Sequence, residues 1–132
     1  FKPQVLPAEY IKFKDFLKDQ PDNFSTLWIP TIQRFGFSSR LHPVILGKEL
    51  FNISTPSALV REFENIKTIK MLKDSEVKYV VVPYDSQKEI FLTDRMYDGN
   101  KRTGIKRALD SVEWLKKIPP IGELVIYKVI YN

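Results

Sequence analysis

The spacing of apolar positions changes several times along this chain, and each change predicts a boundary. Tyr10, Phe13 and Leu17 fall at i, i+3 and i+7 with Phe16 beside them, so residues 8–19 are predicted to form a helix with one apolar face, ended by Pro21. Residues 23–30 read as a short strand around Thr26-Leu27-Trp28-Ile29, where β-branched and aromatic side chains cluster before Pro30. Residues 31–54 lose periodicity, and turn formers alternate with aromatics; a loop is expected there, with a short strand near 44–46.

At Ser54-Thr55-Pro56 a hydroxyl can cap free amides and proline suits the first helical position, so a helix should start there with Leu59, Phe63 and Ile66 as its stripe. The stripe loses phase at Lys67-Thr68, which predicts a break followed by a second turn through Met71 and Leu72. Residues 77–83 (Val-Lys-Tyr-Val-Val-Val-Pro) carry apolar side chains on both faces, as a central strand requires. A turn at 84–87 and a strand at 89–93 follow. Residues 101–117 then place Ile105, Ala108, Leu109, Val112 and Leu115 on one side of a predicted helix, stopped by Pro119-Pro120. Gly122 leads to a last strand at 124–130. Helices alternating with strands predict an α/β fold, a single domain spanning 1–132 with a mixed β-sheet and about three packed helices. The strands at 77–83 and 124–130 are expected side by side in the middle of the sheet.

With 132 residues, 43% of them hydrophobic, the chain can bury a core without disulfides or a structural metal. The absence of cysteine excludes disulfide frameworks, thiolate zinc sites, iron–sulfur clusters and cysteine nucleophiles. A single histidine, His42, excludes a multi-histidine metal site within one chain. No cofactor is implied. The net charge is +5, and Lys101, Arg102, Lys106, Arg107, Lys116 and Lys117 stand against only Asp110 and Glu113 in one stretch. On a helix, Lys106 with Asp110 and Glu113 with Lys117 would pair at i, i+4, which favours a solvated, self-compensated face over a nucleic-acid surface. Trp114 would point away from the apolar stripe of that helix, toward either a covering chain segment or a partner.

Asp98-Gly99-Asn100-Lys101-Arg102-Thr103-Gly104 resembles the anion-binding loop of the Fic/Doc family of nucleotidyl and phosphoryl transferases. Such a loop would make Asn100, Lys101, Arg102 and Thr103 an alternative phosphate-binding set. That family's catalytic histidine would fall at Asp94, and an aspartate cannot serve as its base beside a phosphate. Asp85, Glu89, Asp94 and Asp98 bracket the predicted 89–93 strand, where acidic turn residues also serve local hydrogen bonding. The loop from Trp28 to Pro43 mixes aromatics with forked polar groups. Trp28, Arg34, Phe37, Arg40 and His42, together with Trp114, are therefore the candidate glycan or partner contacts. Asn23-Phe24-Ser25 and Asn52-Ile53-Ser54 are glycosylation acceptor triplets, meaningful on export.

Three phrases, residues 19–30 (Asp-Gln-Pro-Asp-Asn-Phe-Ser-Thr-Leu-Trp-Ile-Pro), 76–83 (Glu-Val-Lys-Tyr-Val-Val-Val-Pro) and 122–129 (Gly-Glu-Leu-Val-Ile-Tyr-Lys-Val), share one further likeness. Together they resemble the extracytoplasmic soluble domain of large multi-pass membrane proteins of the C-type glycosyltransferase superfamily. Ser25 stands where an arginine is common in those phrases, and Glu76 where a glycine is common. The resemblance implies that catalysis belongs to the membrane part of the same polypeptide, acting with a lipid-linked sugar donor. This domain would then be non-catalytic and extracytoplasmic, attached through segments outside this chain, and would grip the acceptor glycan or cover the active site. No catalytic residue is carried onto it.

Overall fold

The computed structural model describes residues 8–29, 38–52, 56–83 and 99–131. In chain order they form α1 (Ala8–Lys18), β1 (Ser25–Trp28), β2 (Val44–Leu46), α2 (Gly47–Leu50), α3 (Pro56–Arg61), a 3-10 turn (Glu62–Glu64), α4 (Lys67–Asp74), β3 (Val77–Val82), α5 (Gly99–Asp110), β4 (Leu115–Lys117) and β5 (Val125–Val129). The strands make one mixed sheet in the order β2-β1-β3-β5-β4. β1 pairs parallel with β2 and β3, whereas β5 runs antiparallel to β3 and β4. The fold is α/β, and the two strands expected at the centre are indeed neighbours.

Helices cover both faces of the sheet. On one face, Tyr10, Phe13 and Leu17 of α1 meet Trp28, Tyr79, Val81, Leu124 and Ile126. On the other, Leu59, Phe63, Leu72, Ile105 and Leu109 meet Leu27, Ile29, Val80, Val82, Val125, Tyr127 and Val129. Burial on both sides is why every residue of β1 is buried and why β3 carries apolar residues on both faces, with side chains alternating between the two cores. Between Ser25 and Thr26 the register with β3 shifts, so that Val77 and Tyr79 face consecutive residues of β1 and Lys78 is the extra residue of a bulge.

Helix ends explain two backbone outliers. Glu76 follows the C-cap Ser75 of α4 at φ +58°, and its amide donates to the Lys73 carbonyl at 3.0 Å. Asn52 follows the C-cap of α2 at φ +55°. A left-handed residue just past a helix is a common way to satisfy its last carbonyls, and glycine or asparagine is favoured there. Glu76 thus bears a backbone conformation that suits glycine.

The structure departs from expectation in one large element. The predicted 101–117 helix ends at Asp110, and the rest of that stretch is a turn followed by β4. Ser111 donates its hydroxyl to the Ala108 carbonyl at 2.7 Å, competing for the helix's own acceptor. Leu115, Lys116 and Lys117 then pair with Val129, Lys128 and Tyr127, filling an edge that β5 would otherwise leave open. The expected Glu113–Lys117 helical pair therefore does not form; Lys117 lies 3.6 Å from Asp110 instead. The break expected at 67–68 is found slightly earlier, where Asn65 is extended and its side chain accepts the Lys67 amide at 3.0 Å. The expected turn at 84–87 and strand at 89–93 lie outside the described residues. Among the described residues, no helix is long and apolar enough to cross a membrane.

Candidate functional site

The residues singled out from sequence separate onto different parts of the fold. Trp28 is fully buried: its indole stacks with Tyr10 (centroids 6.4 Å apart, planes within 9°), meets Phe13 edge-on at 5.9 Å, and donates to the Thr26 hydroxyl at 3.0 Å. It is a packing residue under α1, away from any surface a glycan reaches. His42 is 1% exposed. Its Nε2 lies 3.0 Å from the Asp22 carbonyl oxygen and its ring centroid 4.1 Å from that of Phe24, so it fastens the approach to β2 onto the start of β1. Arg40 is exposed beside it, while Arg34 and Phe37 lie outside the described residues.

A polar latch joins the same corner. Lys78, lifted from the strand by the bulge, donates to the Gln20 side-chain oxygen and to Asp22 Oδ2 at 3.2 Å, with its ammonium 4.7 Å from the Phe24 ring centroid. The Tyr79 hydroxyl donates to the same Gln20 oxygen at 3.1 Å. This bonding to Lys78 holds the Asp22 carboxyl below its ordinary pKa. Lys78 therefore ties α1's end to the sheet.

The alternative phosphate set begins α5, with Asn100, Lys101, Arg102 and Thr103 in its first turns. Arg102 turns inward: its Nε donates to the Pro83 carbonyl at 2.8 Å and its Nη2 to the Glu123 carbonyl. This guanidinium ties α5 to the end of β3 and to the hairpin before β5. Gly104 lies inside the helix with open space where a Cβ would sit. The acidic residues 85, 89, 94 and 98 lie outside the described residues. Among the described residues, no group of three or more His, Asp or Glu side chains is arranged to hold a metal.

The basic residues of 101–117 also separate. Lys106 and Arg107 stay on α5, whereas Lys116 sits on β4 directly opposite Lys128. Burial, then the charges of Arg102 and Lys117, lower the Lys106 pKa. The described basic residues of this stretch are thus divided between a helix and an edge strand rather than gathered on one helix face.

Trp114 marks a different place. It follows α5, leads into β4, and stacks half-buried on Phe63, with centroids 5.6 Å apart and planes within 21°. Its carbonyl accepts the Ile130 amide at 2.9 Å, bringing the end of β5 alongside. Phe63, Glu64, Ile66, Ile69, Ser111, Val112, Glu113, Trp114 and Ile130 line an open groove of about 700 Å³. Ile66, expected on the buried stripe, is 79% exposed. The extended Asn65 turns the chain at the end of the 3-10 turn and resets the helix phase, which leaves Ile66 at the groove's lip. Sequence reasoning found Trp114 and the break, but did not join them into one surface.

Comparison with family models, with curated proteins and with solved structures gave no match.

Proposed function

We propose that this chain is a non-catalytic binding domain, the extracytoplasmic accessory domain of a membrane glycosyltransferase-like protein, and that its contact surface is the groove beside Trp114. The observation that carries the binding role is Ile66, a large aliphatic residue 79% exposed at the lip of a groove containing a half-buried tryptophan. Water-exposed apolar side chains gathered around a concavity mark an interaction site more often than isolated ones do. The attribution to a glycosyltransferase-like protein is supported by the phrases at 19–30, 76–83 and 122–129. The transferase alternative, in which Arg102 binds phosphate, is weakened because its guanidinium is engaged with two main-chain carbonyls.

Hydrogen–deuterium exchange on this chain alone and within the full-length polypeptide tests the reading. The full-length polypeptide should contain apolar membrane spans. Amides at 63–69, 111–114 and 130 should exchange at least about tenfold more slowly in it. Unchanged exchange at those amides, or a full-length polypeptide without spans, overturns the proposal. So does saturable nucleotide binding that is lost in Arg102→Ala.

A further inference from the structure

The Trp114 groove has a chemical bias that narrows what it accepts. Six of its lining side chains are apolar: Phe63, Ile66, Ile69, Val112, Trp114 and Ile130. Ser111, Glu64 and Glu113 complete the lining, so among the described residues its charged members are two carboxylates. Both glutamates are exposed, one the last residue of the 3-10 turn and one next to Trp114 in sequence. Lys67 and Lys70 of α4 are exposed but are not among the lining residues. A net charge of +5 makes this pairing of apolar floor and acidic rim run against the chain's overall balance.

Aliphatic side chains distinguish the groove from a sugar platform. A pyranose stacks on an aromatic face and fills its remaining valences with hydrogen bonds. Ile66, Ile69, Val112 and Ile130 offer it none, so hydroxyls facing them would be desolvated without partners, and Ser111, Glu64 and Glu113 serve only those at the rim. An apolar side chain loses nothing by that contact. The carboxylates then favour a cation beside the apolar anchor, because opposite charges at the rim set orientation and suppress acidic competitors. Resting on the binding role argued above, we infer that the groove docks a polypeptide segment that presents an apolar face flanked by lysine or arginine, in the manner of an amphipathic helix laid in a groove.

Two synthetic twelve-residue helical peptides test this, one with leucine at i, i+3, i+4 and i+7 and lysine elsewhere, the other with glutamate in place of lysine. Trp114 reports directly, since the only other tryptophan, Trp28, is fully buried. The chain's net positive charge attracts the acidic peptide nonspecifically, so a preference for the basic one has to come from the groove itself. At physiological salt that long-range bias is also screened beyond about 8 Å. The lysine peptide should shift Trp114 fluorescence saturably and bind at least about tenfold more tightly than the glutamate peptide. Ile66→Asp should abolish binding, and the double substitution Glu64→Lys with Glu113→Lys should reverse the preference. All three positions are exposed, so these variants should keep the native circular dichroism spectrum. Equal affinities, tighter binding of the acidic peptide, or no binding overturns the inference. A Trp114 response to a neutral oligosaccharide such as chitotetraose, without one to either peptide, also overturns it and makes the groove a glycan site. If protection appears in the full-length polypeptide while the peptides fail, the binding role stands and only the assigned occupant falls.

Discussion

Arg102 donates its Nε–H to the main-chain carbonyl of Pro83 at 2.8 Å, across the junction where β3 ends and α5 stands against it. Its second bond, to the Glu123 carbonyl, adds the hairpin before β5 to the same guanidinium. Hydrogen bonds from a charged donor contribute more than neutral ones, so Arg102→Ala should lower unfolding free energy by about 1–3 kcal/mol. Arg102→Lys retains charge but lacks the planar fork, and should recover less than half of the loss. Urea unfolding of the three proteins checks both statements. A variant as stable as the parent would return Arg102 to the ligand-binding candidates.

Glu76 gives a prediction of opposite sign. It occupies φ +58° one residue past the C-cap of α4, a conformation in which a Cβ crowds the backbone. Its carbonyl accepts the Ser25 amide at 2.8 Å, so the strained residue also positions the first bond of β1. Glycine keeps both backbone bonds and removes the crowding, though it loosens the unfolded chain. The net expectation for Glu76→Gly is a gain of about 0.5–1 kcal/mol, read as a higher urea midpoint at unchanged slope. A lower midpoint would show that the glutamate side chain contributes more than its backbone conformation costs.

These two residues also show what local sequence conveys and what it omits. The segments that became α1, β1, β2, β3 and β5 were legible, because each presents one face or two to a core and the spacing records it. Trp28 was legible as part of a strand, but β1 is covered on both faces, so its aromatic belongs to the core under α1. The 101–117 segment misleads for a physical reason. Val112 and Leu115 do pack on the same core as Ile105 and Leu109, which satisfies helical spacing, but they reach it from a turn and a strand. Only the open edge of β5, contributed later in the chain, decides between the two. The groove was illegible for a similar reason: Ile66 carries a stripe residue's identity, and its exposure follows from the backbone of Asn65.

Two glycines should respond oppositely to alanine. Gly104 lies within α5 with open space on the side where alanine would add its methyl group, so Gly104→Ala should raise stability by about 0.5–1 kcal/mol through helix propensity alone. Gly122 forms the tight turn between Ile121 and Leu124 at φ +61°, and a Cβ there would overlap the Glu9 side chain of α1. Gly122→Ala should cost about 1–3 kcal/mol, from backbone strain and displacement of Glu9. Thermal unfolding of both variants separates the effects. A loss at Gly104 would indicate that this position needs glycine for something other than helix geometry.

Two tyrosines near the C-terminus predict how stability depends on alkaline pH. Tyr127 donates its hydroxyl to Asp110 Oδ1 at 2.7 Å, and burial together with that carboxylate pushes its pKa far above the ordinary value. Tyr131 donates to the Val77 carbonyl, and burial pushes its pKa up to about 12. Both groups hold their protons in the folded state at a pH where the unfolded chain releases them, from about 10 upward. Unfolding therefore releases protons, and the tyrosines' contribution, complete below pH 10, declines as pH rises toward the folded values. For Tyr131 the window is 10 to about 12. Lysines lose charge over the same range, so the comparison is made against Tyr131→Phe, which leaves them in place. The parent's urea midpoint should fall between pH 9 and pH 11.5 more steeply than the variant's, and absorbance at 295 nm should show a tyrosine titrating late in the folded protein alone. Parallel midpoints for the two proteins would mean that the Tyr131 hydroxyl is as well solvated in the fold as in the unfolded chain.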